Sequence, residues 1–168
     1  MDLAHATRRH RNYADDLRTV IDEQRAFLLA ATRVIPQLDD VEAELTYLAL
    51  RDHRPDAVME LGTFQGWSTT WILRALRDNG HGHLHSFDQV DAVLRTVPAD
   101  LADSRWTFVP GDVAANLALV PPDLGYLFVD GKDVAPIGAP GGAEDGLVTA
   151  LQANYWGSEG GRSGDAIA

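Results

Sequence analysis

The stretch with the most chemical promise is Val58-Met59-Glu60-Leu61-Gly62-Thr63-Phe64-Gln65-Gly66-Trp67-Ser68. An apolar run passes into a glycine-bearing turn, then into a helix-like stretch beginning near Ser68. Gly62 lets the chain turn sharply and lets a ligand approach its backbone, and Gly66 does the same where the helix begins. The first amides of a helix lack intrahelical partners and carry partial positive charge, so they suit a carboxylate or hydroxyls. The plain alternative is that any strand-to-helix turn needs glycine. Spacing narrows the ligand. A dinucleotide turn wants G-x-G-x-x-G and a triphosphate loop wants G-K-[ST]. Here the pattern is G-x-x-x-G preceded by Glu60, with no Lys, so both phosphate ligands are disfavoured.

Three aspartates follow apolar runs: Asp88 after His85-Ser86-Phe87, Asp112 after Val109-Pro110-Gly111, and Asp130 after Leu127-Phe128-Val129. Each has a bland reading, as a turn residue, a helix N-cap or a strand-end acid respectively. His81, His83 and His85 alternate, which puts three imidazoles on one face of a strand. Such a set could hold a metal, but plain strand and rim histidines account for it better, and no metal is expected. Trp67, Trp71 and Trp106 read as packing, with Trp67 set apart by its place in the turn.

The elements that must position these residues are legible from periodicity. From Tyr13 to Val34, apolar residues recur at mostly helical spacing, and Pro36 ends the segment. A second helix follows, with Asp39 or Asp40 as N-cap, ending near Arg51. Then short apolar runs alternate with helix-like stretches. The predicted strands are Ala57 to Leu61, Gly82 to Phe87, Trp106 to Val109 and Leu124 to Val129. The predicted helical pieces are Ser68 to Arg77, a Pro98-interrupted stretch from Asp91 to Asp103, and Val113 to Leu119. This alternation predicts an α/β fold: a Rossmann-like parallel sheet with helices on both faces, preceded by N-terminal helices. Ligands of such sheets bind at the carboxyl ends of the strands. The predicted organisation is a helical arm over 1–37, a ligand-binding domain over 38–135, and an atypical tail over 136–168. The last 38 residues hold 9 of the 15 glycines. Only Leu147, Val148, Leu151 and Tyr155 would make an amphipathic helix there, and the end from Gly157 is expected to be disordered.

Composition removes several classes. The chain has 168 residues, 45% of them hydrophobic and 23% charged, a globular balance. No stretch approaches the roughly 20 apolar residues of a membrane span, and the first residues lack a signal core. With no cysteine there is no disulfide scaffold, thiolate metal site or thiol nucleophile. A cytoplasmic location is expected. The formal net charge of −11 makes nucleic acid a poor partner. The expected partner is a small molecule, with a homodimer as the expected assembly.

Glu60-Leu61-Gly62-Thr63-Phe64-Gln65-Gly66-Trp67-Ser68 resembles motif I of class I S-adenosylmethionine-dependent methyltransferases. Its E-x-G-x-x-x-G-x-S form is similar to the small-molecule O-methyltransferases, including the catechol, caffeoyl-CoA and macrolide-sugar types. The resemblance implies S-adenosyl-L-methionine as cofactor. Glu60, Gly62, Thr63 and Gly66 would lie along its methionine part, with Ser68 at the helix start. Asp88 would accept both ribose hydroxyls. Asp112 would take the adenine amine, with the backbone amide of Val113 on the ring. Asp130 would lie beside the reacting methyl. Lys132 and Asp133 resemble the Lys-Asp pair of the catechol-type enzymes, but sit one residue short of that spacing.

The resemblance covers roughly residues 40–130. The family continues with further strands, a Gly-Gly turn and late site residues, and Gly141-Gly142 is a faint echo of that turn. The composition change at Gly131-Lys132 resembles a truncated or frameshifted gene end, with the fold stopping after its fourth strand. The expected function is methyl transfer to an oxygen of a small molecule. The alternative is a non-catalytic cofactor-binding remnant. A nicotinamide enzyme is disfavoured by the glycine spacing.

Overall fold

The computed structural model describes residues 3–31 and 34–129. The chain begins with two helices, α1 (Leu3–Ala30) and α2 (Asp40–His53), and then enters the sheet with β1 (Ala57–Leu61). α3 (Trp67–Asn79) leads to β2 (His83–Asp88). A 3-10 turn at Ala92–Arg95 and the short α4 (Ala99–Ala102) precede β3 (Trp106–Pro110). A 3-10 stretch, Val113–Leu119, leads to β4 (Tyr126–Val129). The four strands form one parallel sheet in the order β3-β2-β1-β4. This is the predicted Rossmann-like fold.

Physical causes are visible element by element. Of the two candidate N-caps, Asp39 caps α2, its Oδ1 accepting from the Glu42 amide at 2.8 Å, and Asp40 is the first helical residue. α2 runs on to His53, where Arg54 (φ +50) ends it by donating its amide to the Leu50 carbonyl. α1 starts well before Tyr13, the predicted beginning, and Tyr13 is instead its kink (φ −125, ψ 17). The charged run Arg8-Arg9-His10-Arg11 hides helix from an apolar-periodicity test, yet Arg is a good helix former. Arg9 also anchors that half of α1 to α2 through Asp52 at 2.8 Å. The helix predicted at Val113–Leu119 is 3-10, broken at Asn116.

One core joins the N-terminal helices, α3 and one face of the sheet. Leu17, Val20 and Phe27 of α1 share it with Tyr47 of α2, Ile72 of α3, Val58 of β1 and Leu84 of β2. The stretch 1–37, read from sequence as an arm, thus packs its α1 residues into the same core as the sheet. On the other face, Met59, Leu61, Phe87 and Val109 are covered by Val113, Val120 and Leu124. Among the described residues β4 is the outermost strand beside β1, with Leu127 and Val129 exposed. Among the described residues no helix is long and apolar enough to cross a membrane.

Candidate functional site

Parallel register brings the carboxyl ends of the strands to one edge. Leu61 pairs with Phe87 and Val129, Phe87 with Val109, and Asp88 with Pro110. The glycine turn after β1, Asp88 at the end of β2 and Asp112 just past β3 therefore share this edge.

The turn is shaped by its backbone. Gly62 has φ +84, and its amide donates to the Phe87 carbonyl at 2.9 Å. Gly66 has φ +82, caps α3, and donates to the Thr63 carbonyl at 2.7 Å. Both values lie in the region that favours glycine. At Gly66 packing adds a second reason. A Cβ there would lie 2.9 Å from Val97 Cγ2 and 3.1 Å from Val93 Cγ2. The space beside Gly66 is thus taken by the Ala92–Arg95 turn and its neighbour. Phe64, between the glycines, has φ +43 and is exposed, a costly conformation for a bulky residue. Thr96 Oγ1 donates to the Gln65 carbonyl at 2.9 Å, and Gln65 Oε1 accepts from the Ile35 amide at 2.9 Å. Sequence reading singled out neither Thr96 nor Gln65, because both ties depend on segments distant in the chain.

Glu60 sits beneath the turn, fully buried. Its Oε1 accepts from Ser68 Oγ at 2.6 Å, Thr69 Oγ1 spans both oxygens, and Ser86 Oγ donates to Oε2 at 2.7 Å. Trp106 Nε1 donates onward to Ser86 Oγ at 3.0 Å. This chain of bonds ties β3, β2 and β1 to the first turn of α3. Ser68 is buried within it rather than presented at the edge. Ser86 and Thr69 went unnoticed in the sequence. Their one signal is parity: Ser86 falls on the same strand face as Leu84, in an otherwise apolar position.

Asp88 faces the turn. Its Oδ2 accepts from the Thr63 amide at 2.7 Å, Thr63 Oγ1 at 3.0 Å and the Phe64 amide at 2.8 Å. Its Oδ1 accepts from the Val90 amide at 3.0 Å. Burial pushes this carboxyl upward, but the amides of Val90, Phe64 and Thr63 and the Thr63 hydroxyl outweigh it, so the group titrates below the usual range. Asp112 is exposed and caps the 3-10 stretch through the Ala114 amide at 2.9 Å. Its backbone carbonyl accepts from Asn116 Nδ2 at 2.8 Å. Val113 beside it is half-buried against the lower core. Asp130, Lys132 and Asp133 lie outside the described residues.

The histidines separate. His83 and His85 share a sheet face with ring centroids 4.7 Å apart, and His83 Nε2 meets Thr107 Oγ1 at 2.8 Å. Burial, then the neighbouring His83, lowers the pKa of His85. His81 lies before β2 and turns to the backbone oxygens of Asn79 and Arg54. Among the described residues, no three His, Asp or Glu side chains come together as metal ligands. Trp67 is buried and packs edge-on against Trp71 at 6.3 Å, inside the core. An open groove of about 640 Å³ lies along α1, another of about 360 Å³ lies between α1 and α2, and neither includes a residue of the strand-end edge.

Comparison with known proteins bears on the fold. Residues 59–137 match the family model of a methyltransferase domain. No curated protein matches the chain by sequence. Among solved structures, the S-adenosylhomocysteine-bound methyltransferase PaMTH1 of Podospora anserina aligns at TM-score 0.51 and 13% identity, covering 93% of this chain and 90% of that one. The O-methyltransferase TomG of Streptomyces achromogenes, in complex with S-adenosylmethionine, aligns at TM-score 0.52 and 17% identity, covering 90% of this chain and 60% of that one. A Klebsiella pneumoniae structure described as an O-methyltransferase aligns at TM-score 0.48 and 20% identity, covering 68% of this chain. The alignment spans 52% of the Klebsiella protein. Over residues 59–137, within the Rossmann-like fold just described, the chain is similar to a methyltransferase domain.

Proposed function

We propose that this chain binds S-adenosylmethionine along the carboxyl ends of β1, β2 and β3 and directs its methyl group to an oxygen of a small molecule in the cytoplasm. The observation that carries the proposal is the glycine turn with positive φ at Gly62 and Gly66, flanked at the same edge by Asp88 and Asp112. The donor and acceptor chemistry fits. The nucleoside half of the cofactor offers hydroxyl and amine donors, and its far end carries an ammonium and a sulfonium. An edge of carboxylates on a chain of net charge −11 answers that pattern. The names of two structural neighbours, bound to S-adenosylmethionine or its product, support the same reading.

In this reading Asp112 takes the adenine amine and the Val113 amide meets the ring. Asp88 takes ribose, and Gly62, Thr63 and Gly66 form the wall beside the methionine part. Glu60 and Ser68, being buried, act by holding that wall in place. When bound, S-adenosylmethionine supplies an already activated methyl, so alignment is the main task of the chain. Asp130, next in sequence after β4, is the residue proposed to serve the substrate hydroxyl. The substrate is proposed as a small hydroxylated molecule and the assembly as a homodimer.

Titration calorimetry with S-adenosylhomocysteine and with a nicotinamide dinucleotide tests the binding reading. Saturable binding of the first and none of the second is expected, and the reverse would overturn it. Transfer of a labelled methyl to a panel of hydroxylated compounds tests the chemistry. Binding without transfer to any of them would favour a non-catalytic cofactor-binding role.

A further inference from the structure

The carboxylate of Asp88 is already heavily used by the protein itself. Three donors converge on Oδ2: the Thr63 amide at 2.7 Å, Thr63 Oγ1 at 3.0 Å and the Phe64 amide at 2.8 Å. Oδ1 holds the Val90 amide at 3.0 Å. A carboxylate offers about four lone-pair sites, two on each oxygen. Oδ2 is therefore filled, and Oδ1 has one position left. A ribose diol presents two hydroxyl donors, and binding both would dislodge donors from the turn.

Those turn donors have reason to stay. Thr63 is 3% exposed, so without Asp88 its amide and hydroxyl would be buried donors lacking an acceptor. Phe64 is held at φ +43, a conformation a bulky residue leaves unless its surroundings fix it. Its own amide bond to Asp88 is one such fixing contact. The far side of the turn is fixed separately, through Gln65 to Thr96 and Ile35.

We propose that Asp88 is chiefly a positioning residue: it braces the Thr63–Phe64 limb of the glycine turn and offers a bound nucleoside one acceptor position, not two. The ligand half of this statement rests on the cofactor reading above, whereas the brace does not. It follows that the second ribose hydroxyl must be met by another group or by water.

The test has two arms. In ligand-free full-length protein, amide hydrogen exchange is expected to find Thr63 and Phe64 protected. Asp88→Asn is expected to speed their exchange by about tenfold or more, the scale of one charge-assisted hydrogen bond, while α3 amides keep their protection. Thr63→Val removes one donor and leaves Asp88 intact. It is expected to loosen the Phe64 amide, with Thr63→Ser restoring it, and it decides the matter if Asp88→Asn does not fold. Unchanged exchange at both amides in Asp88→Asn, or in Thr63→Val where that variant stands in, would overturn the brace. The second arm is calorimetry with S-adenosylhomocysteine and its 2′-deoxy and 3′-deoxy counterparts. Asp88→Asn is expected to erase the affinity penalty of at most one deletion. Erasure of both would mean a bidentate Asp88 and would overturn the proposal. If the wild-type chain binds no S-adenosylhomocysteine, the cofactor reading fails and the exchange arm alone decides.

Discussion

Glu60 is an acidic residue buried in the core, and its carboxyl oxygens accept from the hydroxyls of Ser68, Thr69 and Ser86. Removing it leaves those hydroxyls without their acceptor in a site closed to water. Glu60→Ala is expected to destabilise the fold by about 3 kcal/mol, read from the denaturant midpoint. A change below about 1 kcal/mol would mean that the network is not what holds α3 to the sheet. Asp88 allows a prediction in pH. Its folded-state pKa lies below its ordinary value of 3.8. It therefore contributes stability above that value, and the contribution is lost as pH falls through the lower folded value. The stability gap between wild type and Asp88→Asn should be full near neutrality and shrink below pH 3.8, in urea midpoints taken across that range. A gap that does not change with pH would show that the charge of Asp88 does not stabilise the turn.

At the scale of elements, α3 begins where Gly66 closes the turn. A side chain there meets two penalties at once, a positive φ and the methyls of Val97 and Val93. Gly66→Ala is expected to cost about 1–3 kcal/mol and to weaken ligand binding together with stability. Full stability in that variant would mean that the Ala92–Arg95 turn gives way easily. β2 carries a second pH signal. His85 is held below its ordinary 6.5 by burial first and by His83 second. A histidine kept neutral in the fold takes up its proton more readily when unfolded. Its share of stability is thus present above pH 6.5 and is lost as pH falls toward the folded value. Thermal melts of His85→Gln should therefore fall less steeply than wild type as pH drops below 6.5; parallel slopes would remove His85 from the account.

For the whole molecule, the N-terminal helices belong to the core. Leu17, Val20 and Phe27 pack with residues of α2, α3 and the sheet. Glu23 pairs with Arg74 and Arg77 at 2.8 Å, and Gln24 Nε2 donates to Thr70 Oγ1 at 3.0 Å inside the core. A chain lacking residues 1–31 would expose that surface of α2 and α3. It is expected to lose its cooperative melt and to bind hydrophobic dyes, measured by circular dichroism and dye fluorescence. A cooperative transition at an unshifted temperature would instead make α1 a dispensable arm. The grooves along α1 and α2 lie on this helical side, apart from the strand-end edge.

Local chemistry made much of this legible in one dimension. The alternation of apolar runs and helical stretches is fixed by period, so the parallel α/β fold and the four strands follow from it. Glycines 62 and 66 and the strand-end acids Asp88 and Asp112 are recognisable because strand ends of a parallel sheet must meet at one edge. The charged first half of α1 escaped, since a helix exposing Arg and His shows no apolar stripe. Side-chain partners escaped for a different reason. Whether Glu60 faces a ligand or the hydroxyls of Ser68, Thr69 and Ser86, and whether Asp88 faces a diol or the turn after β1, depends on how separate elements pack, with Ser86 lying 26 residues from Glu60 and Thr63 lying 25 from Asp88. Spacing along a chain carries no such distance. Only the tertiary structure decided that Glu60 lies beneath the turn, that Gly66 is filled by Val93 and Val97, and that Asp88 has most of its acceptor capacity already taken.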